Sequence, residues 1–143
     1  MTYQPKQKNI EVSMLKLSTS GTIAANDYFD LTSDVAGITG QSISGGNSLS
    51  LPAGHYLIEA GPGLDRTAYT NFLEYQCEVN GTLEGTTGAM DSDSANISFC
   101  VDQAGLATSQ TSTWTLKVKV TGCTASAWTS QVDYSYLLVT RVY

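Results

Sequence analysis

Few residues in this chain could do chemistry, and their spacing limits what that chemistry could be. His55 is the only histidine, so a Ser-His-Asp or Cys-His arrangement would have to run through it. It follows Pro52-Ala53-Gly54 directly, at the edge of a turn, where a histidine ordinarily meets solvent. Glu59, Glu74, Glu78 and Glu84 are candidates for the carboxylate pair of glycoside hydrolysis, whose two groups sit about 5–9.5 Å apart. Acidic residues on the exposed face of a strand account for them equally well. Cys77, Cys100 and Cys123 are odd in number and contain no Cys-x-x-Cys, and one histidine is weak support for a zinc site. Cys77 alternates with Tyr75 and Val79, and Cys100 follows Phe99, so both read as small buried hydrophobes kept reduced in the cytoplasm.

Asp91-Ser-Asp-Ser94 has the carboxylates of a calcium loop without the glycine and closing glutamate of an EF-hand. Asn80-Gly-Thr82 and Asn96-Ile-Ser98 match the glycosylation sequon, which has no meaning without a secretory route. Gly61-Pro62-Gly63 leads into no helix and so makes no phosphate loop. The expectation is a chain with no catalytic residues, no metal and no cofactor. Enzymatic activity is not expected.

Composition narrows the remaining classes. The net charge is −6, and the seven basic residues include only Lys6, Lys8, Lys16 and Arg66 in the first half. Nucleic-acid binding depends on neutralising phosphates with such residues, and is excluded as an expectation. No stretch approaches ~18 apolar residues, so no membrane span is expected. Met-Thr-Tyr-Gln-Pro-Lys at the start lacks the apolar centre of a signal peptide, so the expectation is synthesis in the cytoplasm.

The elements that would position any site are strands. Leu49 to Ala60 reads strand, turn, strand, broken at Pro52-Ala53-Gly54. Residues 1–9 read as a polar arm, and 10–143 as one domain. Ile10–Leu17, Ile23–Leu31, Asn71–Val79 and Ile97–Val101 are further extended pieces, and Asn80-Gly81 is a tight reversal. Thr32–Gly46, Gly85–Ala95 and Gly122–Gln131 read as turns and loops. In Thr113–Thr121, Trp114, Leu116, Val118 and Val120 take one face and Thr115, Lys117 and Lys119 the other. About eight strands with frequent turns and no helix predict an all-β antiparallel sandwich, preferably a jelly roll.

The final strand, Val132–Tyr143, is apolar on both faces. Tyr134, Tyr136, Leu138 and Val142 share one, and Leu137, Val139 and Tyr143 the other. A sandwich strand meets the core on one face only, so the second predicts contact with another subunit, the alternative being that the Tyr hydroxyls simply reach solvent.

Gly37-Ile-Thr-Gly-Gln-Ser-Ile-Ser44 followed by Leu51-Pro-Ala-Gly-His-Tyr-Leu-Ile-Glu-Ala60 resembles a jelly-roll module of phage virions, similar to tumour necrosis factor and the complement globular head. Tyr134-Ser-Tyr-Leu-Leu138 resembles the closing strand of that fold, which lies near a trimer axis. The likeness covers residues 21–60 and the end of the chain. It departs after Ala60, where the module often carries an Arg/His-rich segment and this chain has only Arg66.

The resemblance implies a homotrimer in one of two settings. The first is a decoration (cement) protein on the outer capsid surface of the virion, bridging capsomers. Its arm, with Tyr3, Pro5, Lys6 and Lys8, would contact the major capsid protein, because so short a lead leaves no fibre shaft. The second is the receptor-binding tip of a tail or head fibre, with Tyr69, Asp91 and Trp128 in loops that recognise a host glycan.

Overall fold

Apolar residues recur at every second position in the longer extended stretches of the chain, and a period of two gives strands with one face for a core. The computed structural model describes residues 9–19, 23–66, 72–91, 99–123, 128–130 and 135–142. In chain order the strands are β1 (Ile10–Ser18), β2 (Asp30–Val35), β3 (Ser42–Ser44), β4 (Ser48–Leu51), β5 (Gly54–Gly61), β6 (Leu64–Arg66) and β7 (Leu73–Val79). They continue with β8 (Thr82–Asp91), β9 (Phe99–Asp102), β10 (Ala104–Gln110), β11 (Trp114–Cys123), β12 (Trp128–Ser130) and β13 (Tyr136–Val142). Two antiparallel sheets form the sandwich, one ordered β10-β5-β13-β1-β2 and the other β3-β4-β11-β7-β8-β9, with a separate β12–β6 pair. The all-β sandwich expected from the sequence is the observed fold.

The core lies between the inner faces. Trp114, Leu116, Val118 and Val120 of β11 are all buried, as their alternation requires, and so are Leu15, Leu17, Leu137 and Val139 of the five-stranded sheet. Each such side chain contributes roughly 1.5–3 kcal/mol through burial. Two aromatic pairs add edge-on contacts, Tyr56 with Trp114 at 5.0 Å and Phe29 with Tyr75 at 6.4 Å between ring centroids. Cys77 is buried among them, in agreement with its reading as a small hydrophobe.

Several boundaries differ from the sequence reading. Leu49 to Ala60 is not a hairpin: β4 belongs to the six-stranded sheet and β5 to the five-stranded one, so Pro52-Ala53 carries the chain across the sandwich. The loops expected at 32–46, 85–95 and 122–131 contain β2 and β3, most of β8, and the end of β11 with β12. The strand β10 also forms in a stretch that the sequence reading assigned to no strand. Main-chain pairing explains these cases, because a ladder bonds through the backbone and tolerates small polar side chains.

In β8 the small residues are a packing requirement. The tight reversal at Asn80-Gly81 lays β8 along β7, with Val79 paired to Thr82. A Cβ on Gly88 would lie 2.2 Å from the Tyr75 ring and 2.7 Å from the Ala104 nitrogen. β8 thereby reaches the edge of the other sheet, where the Gly105 N–H donates to Thr86 Oγ1 at 2.9 Å.

The stretches that carry the family resemblance turn out to be braces. Gly37 passes so close to β1 that a Cβ there would lie 1.8 Å from the Val12 carbonyl oxygen. The buried Ser13 hydroxyl accepts from the Gly37 and Ile38 N–H groups at 3.0 and 3.1 Å and donates to Gln41 Oε1. Thr39 N–H donates to Glu11 Oε2 at 2.7 Å. At the other stretch, Arg141 Nη2 donates to the Ala53 carbonyl at 2.6 Å. Glu11 and Arg141 are paired across β1 and β13 and approach to 3.7 Å, so one ion pair joins both braces.

Three outcomes test this account. Gly88→Ala should lower unfolding free energy by about 1–3 kcal/mol, because the added methyl meets a ring and a backbone that cannot both retreat. Ser13→Ala should cost a further-reaching but similar ~1–3 kcal/mol in denaturant titration, since it strands two N–H groups. Burial pushes the Cys77 thiol up to about 12, from an ordinary value of 9.0. The fold therefore holds the thiol proton, and the stability tied to it is complete below about pH 9 and lost as pH rises towards 12. Peptide mapping after iodoacetamide at pH 8 should find Cys77 unmodified until the chain is unfolded; rapid native labelling would contradict it.

Candidate functional site

Strand geometry gives the five-stranded sheet a second face, and its sequence makes that face apolar. With Leu137 and Val139 fully buried in the core, Tyr136, Leu138 and Val142 point the other way and are half-buried. The same holds for β1, where Leu15 and Leu17 face in and Ile10, Val12 and Met14 face out. Cross-strand register then aligns these residues in rows. One row runs Ser109, His55, Val142, Ile10; the next Ala107, Leu57, Thr140, Val12; and the third Gly105, Glu59, Leu138, Met14, Val35. Ile10, Leu57, Val35 and Val12 are 64%, 57%, 55% and 42% exposed, four of the six most exposed large apolar side chains among the described residues. They form one patch, which is the mark of an interaction surface.

The six-stranded sheet has the opposite character on its outer face. Lys117 pairs with Glu78 and Lys119 with Gln76 across β11 and β7. Glu78 was expected on an exposed face, yet it is only 6% exposed, because Tyr28 lies over it. The Tyr28 hydroxyl donates to both carboxylate oxygens at 2.9 and 3.1 Å, while Lys119 Nζ stands 3.9 Å from the nearer one. The hydrogen bond to Glu78 raises the Tyr28 phenol above its usual range, with burial and charge repulsion acting the same way. Lys117 Nζ sits 4.6 Å from the centre of the Tyr28 ring. This charged, internally paired face is suited to water.

Of the residues predicted from sequence, Tyr136, Leu138 and Val142 lie together on the apolar face. Tyr136 is partly covered within its own chain: its ring lies over Gly61, where a Cβ would come within 2.5 Å of it. Tyr134, Tyr143, Tyr69 and the arm residues Tyr3, Pro5, Lys6 and Lys8 lie outside the described residues. Asp91 closes β8 and Trp128 opens β12, so both belong to strands instead of the expected loops. Sequence reasoning missed the contribution of β1 and β5. The signal was present in the alternation of Ile10, Val12 and Met14, but the inward and outward faces could not be told apart without the partners of β1.

His55 has a neighbour that sequence could not supply. Its Nδ1 lies 2.6 Å from Ser109 Oγ, a contact of the kind that links a nucleophile to its base. Both residues are exposed, in an open groove of about 370 Å³ beside Leu57 and Val142. Neither a carboxylate oriented on the ring nor an oxyanion pocket accompanies the pair among the described residues, so it fulfils one requirement of acyl transfer out of three. No three His, Cys, Asp or Glu side chains cluster to hold a metal among the described residues.

No family model and no curated protein matches the chain. Solved structures do. An Eiger TNF from S. frugiperda superposes with a TM-score of 0.66 over 94% of this chain and 93% of its own, at 13% identity. Murine APRIL superposes with TM-scores of 0.63 in its pH 8.0 form and 0.64 in its pH 5.0 form, at 14% identity. Those forms cover 93% and 91% of this chain, and 99% and 98% of their own. The jelly roll of tumour necrosis factor is therefore the fold of this chain.

Proposed function

We propose that this chain is a non-enzymatic, homotrimeric module of a phage virion that decorates the outer capsid surface and stabilises the shell by bridging capsomers. The observation that carries the reading is the apolar outer face that crosses all five strands of one sheet. A face of that composition on an acidic, otherwise polar chain is suited to protein contact. A ring of three needs two different patches on each copy, because its contacts are heterologous. The two halves of that face differ, with Leu57 and Leu138 on β5 and β13 and Ile10, Val12 and Val35 on β1 and β2, and they supply two such patches. The tumour-necrosis-factor fold and the virion-module resemblance of residues 37–60 support the same reading.

Stabilisation by bridging requires no chemistry beyond binding. Three copies of one weak capsid contact gain avidity from being joined. In this scheme the basic stretch with Tyr3, Pro5, Lys6 and Lys8 makes that contact with the major capsid protein, and the apolar face makes the trimer.

The two parts separate experimentally. Light scattering should give three times the 15.2 kDa chain mass, and the double variant Val12→Lys/Leu138→Lys should give the single-chain mass with native circular dichroism. Removing residues 1–9 should leave the trimer whole while purified capsids no longer take the protein up. A monomer at all concentrations would overturn the reading. Capsids that ignore the intact trimer, with host polysaccharide binding it, would replace decoration with a receptor-binding tip.

A further inference from the structure

The strand β10 ends the five-stranded sheet and pairs with β5 alone. The Gly105 N–H donates to Thr86 Oγ1 at 2.9 Å, and the Thr86 hydroxyl donates to the Gly105 carbonyl at 3.3 Å. A Cβ on Gly85 would lie 2.1 Å from that same carbonyl oxygen. Both backbone groups of Gly105 thus point away from β5. Alternate residues of an antiparallel ladder share that direction, so Ala107 and Ser109 also turn their N–H and C=O groups to the outside. Both residues are exposed, and no other strand pairs with them there among the described residues.

Natural sheet edges are guarded by lysine, proline, inward charge or a bulge. Ala104-Gly-Leu-Ala-Thr-Ser-Gln110 has no charged residue and no proline, and its outward side chains are only Gly105, Ala107 and Ser109. The opposite edge, β2, carries Asp30 and Asp34. Beside the β10 edge runs a groove of about 680 Å³, with Leu57, Gly105 and Ala107 on one side and Glu84, Gly85 and Thr86 on the other. Glu84 brings a carboxylate to it, Glu59 stands opposite Gly105 in the ladder, and no lysine or arginine lines it.

We propose that the β10 edge accepts an extended, lysine- or arginine-bearing segment of a partner protein as an added strand. The segment's backbone pairs with Ala107 and Ser109, and its basic group meets Glu84. The small outward side chains of β10 leave room for it. The added strand lies on the side of β10 that faces away from β5, not on the flat outer face proposed to make the trimer.

The test uses the full chain and a fluorescent hexapeptide of alternating valine and lysine, followed by anisotropy. Saturable binding is expected. It should weaken about tenfold when glutamate replaces lysine, when alternate peptide nitrogens are methylated, and when the protein carries Ala107→Pro. The methylated peptide probes the edge on the unaltered protein, so a misfolded proline variant does not weaken the test. Absence of saturable binding, or equal binding of the methylated peptide, would overturn the proposal. So would binding that begins only when dilution has separated the copies, because the edge would then belong to the contact between them.

Discussion

The structure depends on the register of β13. A strand shifted by one residue exchanges its two faces, so whatever fixes β13 decides which residues become core and which remain outside. The fixing is done at both ends. At the start, the buried Ser135 hydroxyl accepts from the Leu17 N–H at 3.0 Å and donates to the Leu17 carbonyl at 2.6 Å. At the far end, Arg141 holds the Ala53 carbonyl and the Glu11 carboxylate. Between them Leu137 and Val139 are committed to the core, and Leu138 and Val142 are committed to the outer face.

That constraint explains why the two outer faces differ. β13 lies at the centre of its sheet, flanked by β5 and β1, and both neighbours carry apolar residues on the rows it sets. β11 and β7 occupy the middle of the other sheet, and their outward residues include Lys117 and Lys119, which pair across the ladder with Glu78 and Gln76. Glu78 illustrates the difference in cost: a carboxylate that covered is tolerated because Tyr28 donates to it and Lys119 stands nearby. Among the described residues, the polar side chains of the five-stranded face, the His55–Ser109 pair with Thr140, Glu59 and Lys16, are scattered among aliphatic ones. Water contact there is unfavourable, and contact with protein removes the penalty.

Much of the fold was legible because period-two alternation depends only on which residues meet the core. The strict pattern of Trp114, Leu116, Val118 and Val120 was enough to place β11, and the reversal at Asn80-Gly81 placed the start of β8. Legibility failed where backbone pairing or close packing set the conformation. β8 and β10 are rich in glycine, alanine, serine and threonine, which resemble loop residues until Tyr75 and Gly105 are seen pressing on Gly88 and Gly85. The stretch from Leu49 to Ala60 misled for another reason: a proline turn looks the same whether it returns to its own sheet or crosses to the other. The apolar site was half visible. Tyr136, Leu138 and Val142 announced it, whereas Ile10, Val12, Val35 and Leu57 joined it only through pairing distant in sequence.

The central claim is that the apolar face of the five-stranded sheet is covered by other copies of the chain. Hydroxyl-radical footprinting across a dilution series tests it with an internal standard, because Phe72 and Leu83 are exposed elsewhere at 45% and 41%. The account predicts that Val12, Val35 and Leu57 are modified far more slowly than Phe72 and Leu83 at high concentration, and as fast once diluted. Equal modification of all five at every concentration would contradict it.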